Sequence, residues 1–269
     1  MNDVISLMSD ELSYTAYSCD TISSNLVFYI DDFISKNTDL CIVARCWATH
    51  TAETIKEFYA YNTFNEIISS LVSELFIDVP ILITIWKGEQ VNHKLHMVKG
   101  KSHPKNALNS TIRGTFLCDN HICNLIHTPD STNEAIRELE CIKAHMSTLI
   151  HYDACKTVSM KPPLINHSGI TMLYTALSRI TFCSNITTPT YSKRLLNSNS
   201  IDYYDEMLNK LDVINIRMDS FAKDLVSAYF SSDIDKVRFI LQRNIFPLTK
   251  WEKFVLNCGA ASASIWLSD

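Results

Sequence analysis

One apolar run, Val79–Trp86 (VPILITIW), constrains the fold of this chain more than any other stretch of its sequence. A strand that is apolar along its whole length must be covered on both faces, which is typical of the centre of a sheet. Lys87 and Gly88 follow directly, so we predict a central strand that ends in a turn. The run is far shorter than the roughly 20 apolar residues that a membrane-spanning helix needs, and we expect no membrane segment.

The surrounding patterns predict alternating strands and helices. Ser131 and Glu134 have the spacing of a helix capping box, and residues 88–112 are predicted to be loop-rich. The resulting order is that of an α/β (α+β) sandwich, with helices on a mainly antiparallel sheet. The further predicted strands are Val4–Met8 and Leu40–Ala48, and the predicted helices are Asn25–Ile34, Thr54–Tyr61, Glu66–Phe76 and Ser131–Ile150.

The character of the sequence changes after His151. Residues 153–170 contain two prolines and a glycine, and we interpret them as a linker. Residues 171–269 are predicted to form a mainly α-helical domain. Apolar residues spaced three and four apart predict a long amphipathic helix over Tyr204–Ala228, and a shorter helix is predicted over Asp233–Arg243.

Composition narrows the classes of partner and compartment. The formal net charge is −5, and no basic stripe interleaved with aromatic residues occurs, so we expect no nucleic-acid partner. Nine scattered cysteines without a CxxC pair favour a reducing, cytoplasmic environment. The start of the chain is acidic and is not expected to be a signal peptide.

One segment departs from the acidic surroundings. Lys87–Arg113 carries six basic residues against the single acid Glu89, and Gly88 and Gly100 lie within it. Glycine lets a backbone approach a ligand closely, and basic side chains on such a loop favour an anion. The segment can be interpreted as an anion-binding loop or as a solvated basic loop with turn glycines.

The motifs between residues 79 and 139 resemble those of the nucleoside diphosphate kinase family. Gly100, Ser102 and Pro104 stand where that family has G-x-T-x-P. The motifs T-I-R-G and N-x-x-H follow, and then Asp130-Ser131 and Glu138 stand where the family has H-x-S-D-S and a helical Glu. Those two motifs are Thr111-Ile112-Arg113-Gly114 and Asn124-Leu125-Ile126-His127.

The resemblance covers roughly residues 1–150 and implies a ferredoxin-like βαββαβ sandwich over residues 1–152. It also implies transfer of a γ-phosphate from a nucleoside triphosphate to a nucleoside diphosphate through a phosphohistidine. By this resemblance His127 is the nucleophile, Glu138 fixes its ring, and Arg113 stabilises charge in the transition state.

The same resemblance implies a set of nucleotide-binding residues. Tyr59 is the candidate active-site tyrosine, and Phe64 is the candidate that stacks on the base. His96, Ser102, Arg113 and Asn124 would contact the ribose and phosphates, and Mg²⁺ would be carried by the nucleotide phosphates rather than by protein ligands. A homo-oligomer is also implied, because family members are commonly tetramers or hexamers.

Three positions depart from the family pattern. Met8 is predicted to stand where the family has a lysine that contacts the transferring phosphate, provided that Asp10 is the aspartate of the family's Lys-Pro-Asp. His96 replaces a phosphate-binding arginine, and Pro129 replaces a serine beside the histidine. Each lost donor costs about 10²–10³ in rate, so turnover would fall steeply unless Lys99 or Lys101 compensates.

Alternative functions remain open at this point. The first is a nucleotide-binding or interaction protein that has lost turnover. The second is a protein-directed phosphotransferase that uses the same histidine, with the helical domain bringing a protein partner. The third is a zinc site, for which the residue types are present but the spacing fits no standard finger. Its six residues are Cys118, His121, Cys123, His127, Cys141 and His145.

Overall fold

Four antiparallel strands form one sheet in the order β1-β3-β2-β4. These strands are β1 (Leu12–Tyr17), β2 (Cys41–Thr49), β3 (Pro80–Lys87) and β4 (Ile150–His151). The computed structural model describes residues 5, 8–60, 62–151, 161–181, 190, 200–215, 220–243 and 247–267. The predicted central strand is confirmed, because β3 pairs with β1 on one side and with β2 on the other.

The opposite edge of the sheet is completed by a single residue pair. Ala16 of β1 and His127 exchange two backbone hydrogen bonds, of 2.9 and 3.0 Å, in an antiparallel bridge. The segment at His127 therefore lies beside β1 as an additional strand of minimal length. With that segment included, the order of the sheet is the ferredoxin-like one that the sequence predicted, and β4 extends the edge beyond β2.

The chain clusters into two compact units. The first comprises residues 1–100 and 125–161, and the second comprises residues 101–124 and 162–269. Residues 101–124, which we assigned to the kinase-like domain, thus pack with the C-terminal helices. The domain boundaries predicted from the sequence, 1–152 and 171–269, remain a prediction.

Helices of the first unit cover both faces of the sheet. Ala135, Leu139 and Ile142 pack against one face, together with the alternating residues of β2 and β3. On β1, Tyr14 and Ala16 belong to that same face, while Tyr17 and the buried Trp86 of β3 belong to the other. The helices are α1 (Cys19–Ser23), α2 (Val27–Asn37), α3 (Ala52–Phe58), α4 (Glu66–Phe76), α5 (Val91–Lys99) and α7 (Thr132–Ile142).

The described residues of the second unit are mainly helical. Its helices are α6 (Ile112–Thr115), α8 (Gly169–Thr181), α9 (Ser200–Asn215), α10 (Ser220–Phe230), α11 (Ile234–Gln242) and α12 (Lys250–Leu267). The buried carboxylate of Asp119 accepts hydrogen bonds from Ser168 Oγ and from the amides of Gly169 and Ile170, so it caps the start of α8. None of the helices within the described ranges is long and apolar enough to cross a membrane.

A close crossing of two helices explains a pair of glycines. A methyl group added at Gly259 of α12 would lie 2.5 Å from the Cα atom of Gly169 in α8, so the two backbones touch. Any side chain at either position would force the helices apart. The predicted linker therefore ends inside a packed core, where His167 and Ser168 are fully buried, while its residues 153–160 lie outside the described part.

Several predicted elements are confirmed and others are wrong. Helix α4 has the predicted bounds, and Ser131 caps α7 by accepting from the Glu134 amide. The first strand is β1 rather than Val4–Met8; of the latter segment, Val4, Ser6 and Leu7 lie outside the described residues, and Met8 is a buried core residue. The predicted helix over Ser131–Ile150 ends at Ile142, because a 3₁₀ turn and β4 follow.

Two further differences concern residues 88–112 and 204–228. The first range contains α5, whose buried residues Val91, Leu95 and Val98 form one apolar face. The polar residues between them make this face hard to recognise in the sequence. The predicted long helix falls on α9 and α10, between which residues 216–219 lie outside the described part. Helix α11 confirms the predicted shorter helix, with Asp233 as its N-cap.

Candidate active site

The main chain around His127 is fixed from both sides. On one side is the bridge to Ala16. On the other, Leu125 adopts a positive φ of 73°, its amide donates to Asp20 Oδ2 at 2.8 Å, and its carbonyl accepts from the hydroxyl of Thr21. The start of α1 thus holds the turn that presents the histidine, and the Cα position of His127 does not depend on its side chain.

The His127 ring is held by a buried carboxylate. Nε2 of His127 lies 2.9 Å from Oε2 of Glu138, whose side chain is 4% exposed, whereas the imidazole is 27% exposed. The hydroxyl of Tyr14 donates to the same Oε2 atom at 2.6 Å, and Nη2 of Arg137 lies 3.5 Å from Oε1. The predicted pairing of His127 with Glu138 is therefore present in the structure.

An imidazole held in this way has one nitrogen committed and one available. An ionised carboxylate only accepts hydrogen bonds, so the network assigns the ring proton to Nε2. Nδ1 then carries the lone pair of a neutral imidazole. Such a nitrogen on a partly exposed ring can act as a nucleophile or as a base.

Aromatic side chains pack beside the histidine. The ring of Phe58 lies edge-on to that of His127, with 5.0 Å between centroids, and Tyr59 lies 5.1 Å from Phe58 and 5.4 Å from Phe64. Phe64 is 39% exposed, so one of its faces can take a ligand. The structure thus brings Tyr59 and Phe64 together, but Phe58 is the residue that touches His127.

A second histidine lies beneath this aromatic layer. The His50 ring is buried, packs edge-on to Phe58 at 5.0 Å, and its Nδ1 lies 3.3 Å from the Thr54 hydroxyl. Burial, together with the neighbouring His127 and His145, lowers the pKa of His50 to about 4. His50 is therefore neutral near pH 7 and places no positive charge beside His127.

The predicted cationic positions near His127 differ in their arrangement. Nδ1 of His96 lies 2.8 Å from Oδ1 of Asp130, so this side chain is engaged with a carboxylate. Nζ of Lys99 donates to the carbonyl of Thr128 at 3.2 Å, one residue beyond His127, and lies 3.6 Å from the same Asp130 oxygen. The contacts with His96 and Lys99 hold the pKa of Asp130 below its usual range despite its partial burial.

The position of β1 corrects the assignment of the family lysine. The segment that follows this strand is Ser18-Cys19-Asp20, so Ser18, and not Met8, takes the place where the resembled pattern has lysine. The Ser18 hydroxyl donates to the carboxylate of Asp20, which in turn accepts from Leu125. Met8 belongs to the core instead.

The second unit holds Arg113, Asn124 and Ser102. The buried Arg113 donates from Nε to the Asn124 carbonyl at 3.2 Å, and Asn124 Nδ2 donates to the carbonyl of His121 at 2.8 Å. Ser102 lies in an exposed bend. Burial lowers the pKa of His121, and the positive charges of His103 and Arg113 lower it further, so this loop concentrates basic groups.

The glycine of the T-I-R-G motif has a steric reason. A Cβ atom at Gly114 would collide with the carbonyl of Leu108, so only glycine lets the chain fold back onto residues 107–108. The Thr111 hydroxyl caps this turn by accepting from the Gly114 amide at 3.4 Å. The motif therefore positions Arg113 through a local turn.

The zinc alternative is not formed. Within the part of the chain that the structure describes, which includes all six candidate residues, no three His, Cys, Asp or Glu side chains are grouped so that they could hold a metal ion. The thiols of Cys118 and Cys123 are buried, and Cys118 Sγ lies within hydrogen-bond distance of backbone carbonyls. These cysteines are core residues.

Two residues of the site have no signal in the sequence. Tyr14 is 124 residues from Glu138, its hydrogen-bond partner, and it lies in a segment that we had not predicted as a strand. His50 precedes a helix and has no motif around it. Only the pairing of distant elements in the sheet brings either of them to His127.

The first unit is thus an α+β domain that presents a carboxylate-bound histidine at the edge of its sheet. Residues 16–146 match the sequence model of the family described as nucleoside diphosphate kinase. The nucleoside diphosphate kinase of Wolbachia sp. subsp. Brugia malayi (strain TRS) is 29% identical over 132 residues, which are 49% of this chain and 93% of that protein. Over this region the chain is thus similar to the nucleoside diphosphate kinase family.

Other relatives match a shorter part of this chain or are less identical to it in sequence. The nucleoside diphosphate kinase of Streptococcus agalactiae serotype III (strain NEM316) is 33% identical over 92 residues, or 33% of this chain and 66% of that protein. Among solved structures, the Halobacterium salinarum nucleoside diphosphate kinase in complex with CDP is 20% identical, with a TM-score of 0.44. That likeness covers 55% of this chain and 95% of that one.

Proposed function

We propose that this protein is a nucleoside diphosphate kinase-like phosphotransferase that moves a γ-phosphate from a nucleoside triphosphate to a nucleoside diphosphate. The observation that carries the proposal is the 2.9 Å contact between His127 Nε2 and the buried Glu138, which leaves Nδ1 as the nucleophilic nitrogen. The match of residues 16–146 to the family supports the class of reaction.

The proposed reaction has two balanced halves. Nδ1 of His127 donates its lone pair to the γ-phosphorus, the bond from that phosphorus to the bridging oxygen breaks, and the electron pair leaves with the diphosphate. An oxygen of the acceptor diphosphate then attacks the phosphorus, and the pair of the N–P bond returns to Nδ1. The Nε2 proton stays on the ring throughout, donated to Glu138.

The proposed nucleotide contacts use groups from the described residues. Phe64 and Tyr59 would stack on and flank the base, and Arg113, Asn124 and Ser102 would bind ribose and phosphates. His96 would be recruited to phosphate only by releasing Asp130. Oligomerisation, which the family suggests, is part of the same proposal.

Mg²⁺ would accompany the nucleotide. Its ligands would be phosphate oxygens and water. When bound, the ion would neutralise charge on the phosphates. The residues of this chain would contribute only by binding those same phosphates.

A second candidate function is nucleotide binding without turnover. Ser18 replaces the lysine, and His96 is engaged with Asp130 rather than presented as a cation. At about 10²–10³ in rate for each lost donor, two losses would reduce transfer by about 10⁴ or more. Lys99, whose side chain is 12% exposed, is the cation that would compensate.

The test is phosphorylation with γ-labelled ATP and Mg²⁺, followed by a chase with a nucleoside diphosphate. Wild type is compared with His127→Ala and with His93→Ala, a control histidine of the same unit that lies on α5. We expect acid-labile, alkali-stable label that depends on His127 and moves to the diphosphate.

The other outcomes separate the alternatives. Label that stays on the protein despite the chase would contradict nucleotide kinase activity, and its passage to an added protein would favour a protein-directed transferase. No label, with nucleotide bound, would establish the binding function. Loss of label in His93→Ala as well would remove the argument for His127.

A further inference from the structure

We propose that Tyr14 is a positioning residue for the His127 nucleophile, which it serves by fixing the carboxylate of Glu138. The inference rests on the proposed function for its catalytic consequence, but its structural part concerns the tautomer of a histidine in the nucleotide-free protein. Neither the family motifs nor the sequence patterns point to Tyr14.

Tyr14 and His127 share one oxygen atom. The Tyr14 hydroxyl lies 2.6 Å from Glu138 Oε2, and Nε2 of His127 lies 2.9 Å from it. The donors come from different parts of the chain, since Tyr14 belongs to β1 and His127 follows the loop that ends at Leu125. Hydrogen bonds to a charged acceptor are about twice as strong as neutral ones, so the shared oxygen couples the two rings.

The tyrosine can only donate in this arrangement. Its side chain is fully buried, and burial together with the charge of Glu138 raises the pKa of Tyr14 well above its usual range. The hydroxyl therefore keeps its proton at every pH at which the protein would work. One lone pair of Oε2 therefore always accepts the hydrogen bond from Tyr14, and the carboxylate plane is fixed relative to β1.

Fixing this plane determines which nitrogen of His127 attacks phosphorus. With Oε2 held in place, the remaining lone pair is directed at Nε2, so the ring proton is retained there and Nδ1 keeps its lone pair. In the return half of the reaction the leaving group is then a neutral imidazole with its Nε2 proton in place. A ring that exchanged between tautomers would place the proton on Nδ1 for part of the time, and that fraction could not attack.

The strand supplies a matched control. Tyr17 is also fully buried in β1, and its hydroxyl also donates to a buried carboxylate, that of Asp31, at 2.8 Å. It belongs to the opposite face of the sheet from His127. Tyr14→Phe and Tyr17→Phe therefore each delete one buried hydroxyl from the same strand, and only the former touches the proposed site.

The first readout is ¹⁵N NMR of the His127 ring in the nucleotide-free protein. We expect a protonated Nε2 and an unprotonated Nδ1 in wild type and in Tyr17→Phe, and shifts averaged between the tautomers in Tyr14→Phe. An unchanged ring in Tyr14→Phe, or equal changes in both variants, would overturn the proposal. This readout is independent of turnover, so its failure and the failure of the proposed function are distinguishable.

The second readout is kinetic. Tyr14→Phe is expected to lower kcat for phosphate transfer about 10-fold with KM for the triphosphate unchanged, as loss of an outer partner of a reactive histidine typically does. Tyr17→Phe should keep both constants, and a fall confined to KM in Tyr14→Phe would contradict a positioning role. Should Tyr14→Phe fail to fold, site-specific 3-fluorotyrosine at position 14, which preserves the packing, should still shift the ¹⁵N resonance of Nε2.

Discussion

The buried His50 makes the stability of the first unit depend on pH in a calculable way. Its pKa is about 4 in the folded chain against 6.5 for an exposed histidine. As pH falls below 6.5, His50 binds a proton in the unfolded chain but stays neutral in the folded chain. The free energy of unfolding therefore decreases until about pH 4. Between pH 7.5 and 4.5 the expected loss is about 2.5 kcal/mol.

The perturbation that isolates this loss is His50→Gln, which removes the titrating group but keeps a hydrogen-bonding side chain near Thr54. Asp31 acts in the opposite direction, because its pKa is raised to about 6 and the folded chain binds its proton first. The other titratable groups around the ring are His127, His145 and Glu138. All of these are retained in the variant, so the difference between the two proteins reports His50.

The assay is urea-dependent hydrogen exchange, read by mass spectrometry on peptides from β3, because these amides belong to the core of the first unit alone. The stability advantage of wild type over His50→Gln should shrink by about 2.5 kcal/mol between pH 7.5 and 4.5. Parallel curves for the two proteins would show that His50 titrates normally, and would refute its assignment as a neutral buried group.

Three further predictions concern single side chains. Lys99→Met should slow labelling of the histidine about 100-fold, whereas Lys94→Met on the same helix should not; equal rates would remove the compensating cation. Phe64→Ala should weaken binding of a nucleoside diphosphate about 10-fold in titration calorimetry, as loss of one stacking partner does, and an unchanged Kd would place the base elsewhere. Gly259→Ala should destabilise the second unit by about 3 kcal/mol in thermal unfolding, because its methyl group meets Gly169; an unaltered Tm would contradict the close crossing.

The parts of the fold that the sequence predicted are those with local causes. The continuous apolar run of β3, the stripe of α4 and the Ser131 cap each depend on residues close together in the chain. The motif residues His127 and Glu138 are eleven apart, and a loop followed by a helix is enough to bring them together. Such features can be predicted without knowing the rest of the fold.

Strand β1 could not be predicted in this way. Its sequence, LSYTAY, carries buried polar side chains whose partners are remote: Ser13 donates to Asn92, and Thr15 accepts from Trp86 Nε1. The hydrogen-bond partners of these polar groups lie 71 and 79 residues away in the sequence. Judged from its local sequence pattern alone, such a segment is therefore a poor candidate for a strand. Because this strand was not predicted, the position of the family lysine was assigned to Met8. For the same reason Tyr14 was not recognised as a residue of the candidate site.

Helix α5 illustrates the other kind of failure. Val91, Leu95 and Val98 have helical spacing, but the intervening His, Lys and Asn residues and the flanking glycines favoured a loop interpretation. The helix begins at Gln90, which adopts a positive φ of 53° that no sequence rule requires. The chain accepts this conformation because the apolar face of the helix is buried against the core.

The bridge between Ala16 and His127 makes the position of His127 depend on the length of β1. Two residues on one face of the strand hold His127: Ala16 fixes its backbone, and Tyr14 binds the carboxylate that contacts its ring. A one-residue insertion or deletion between them would send one anchor to the opposite face of the sheet, since side chains alternate along a strand. The spacing of these two residues therefore matters as much as their identities, because a change in the length of this strand would displace one anchor of His127 without altering a side chain that surrounds it.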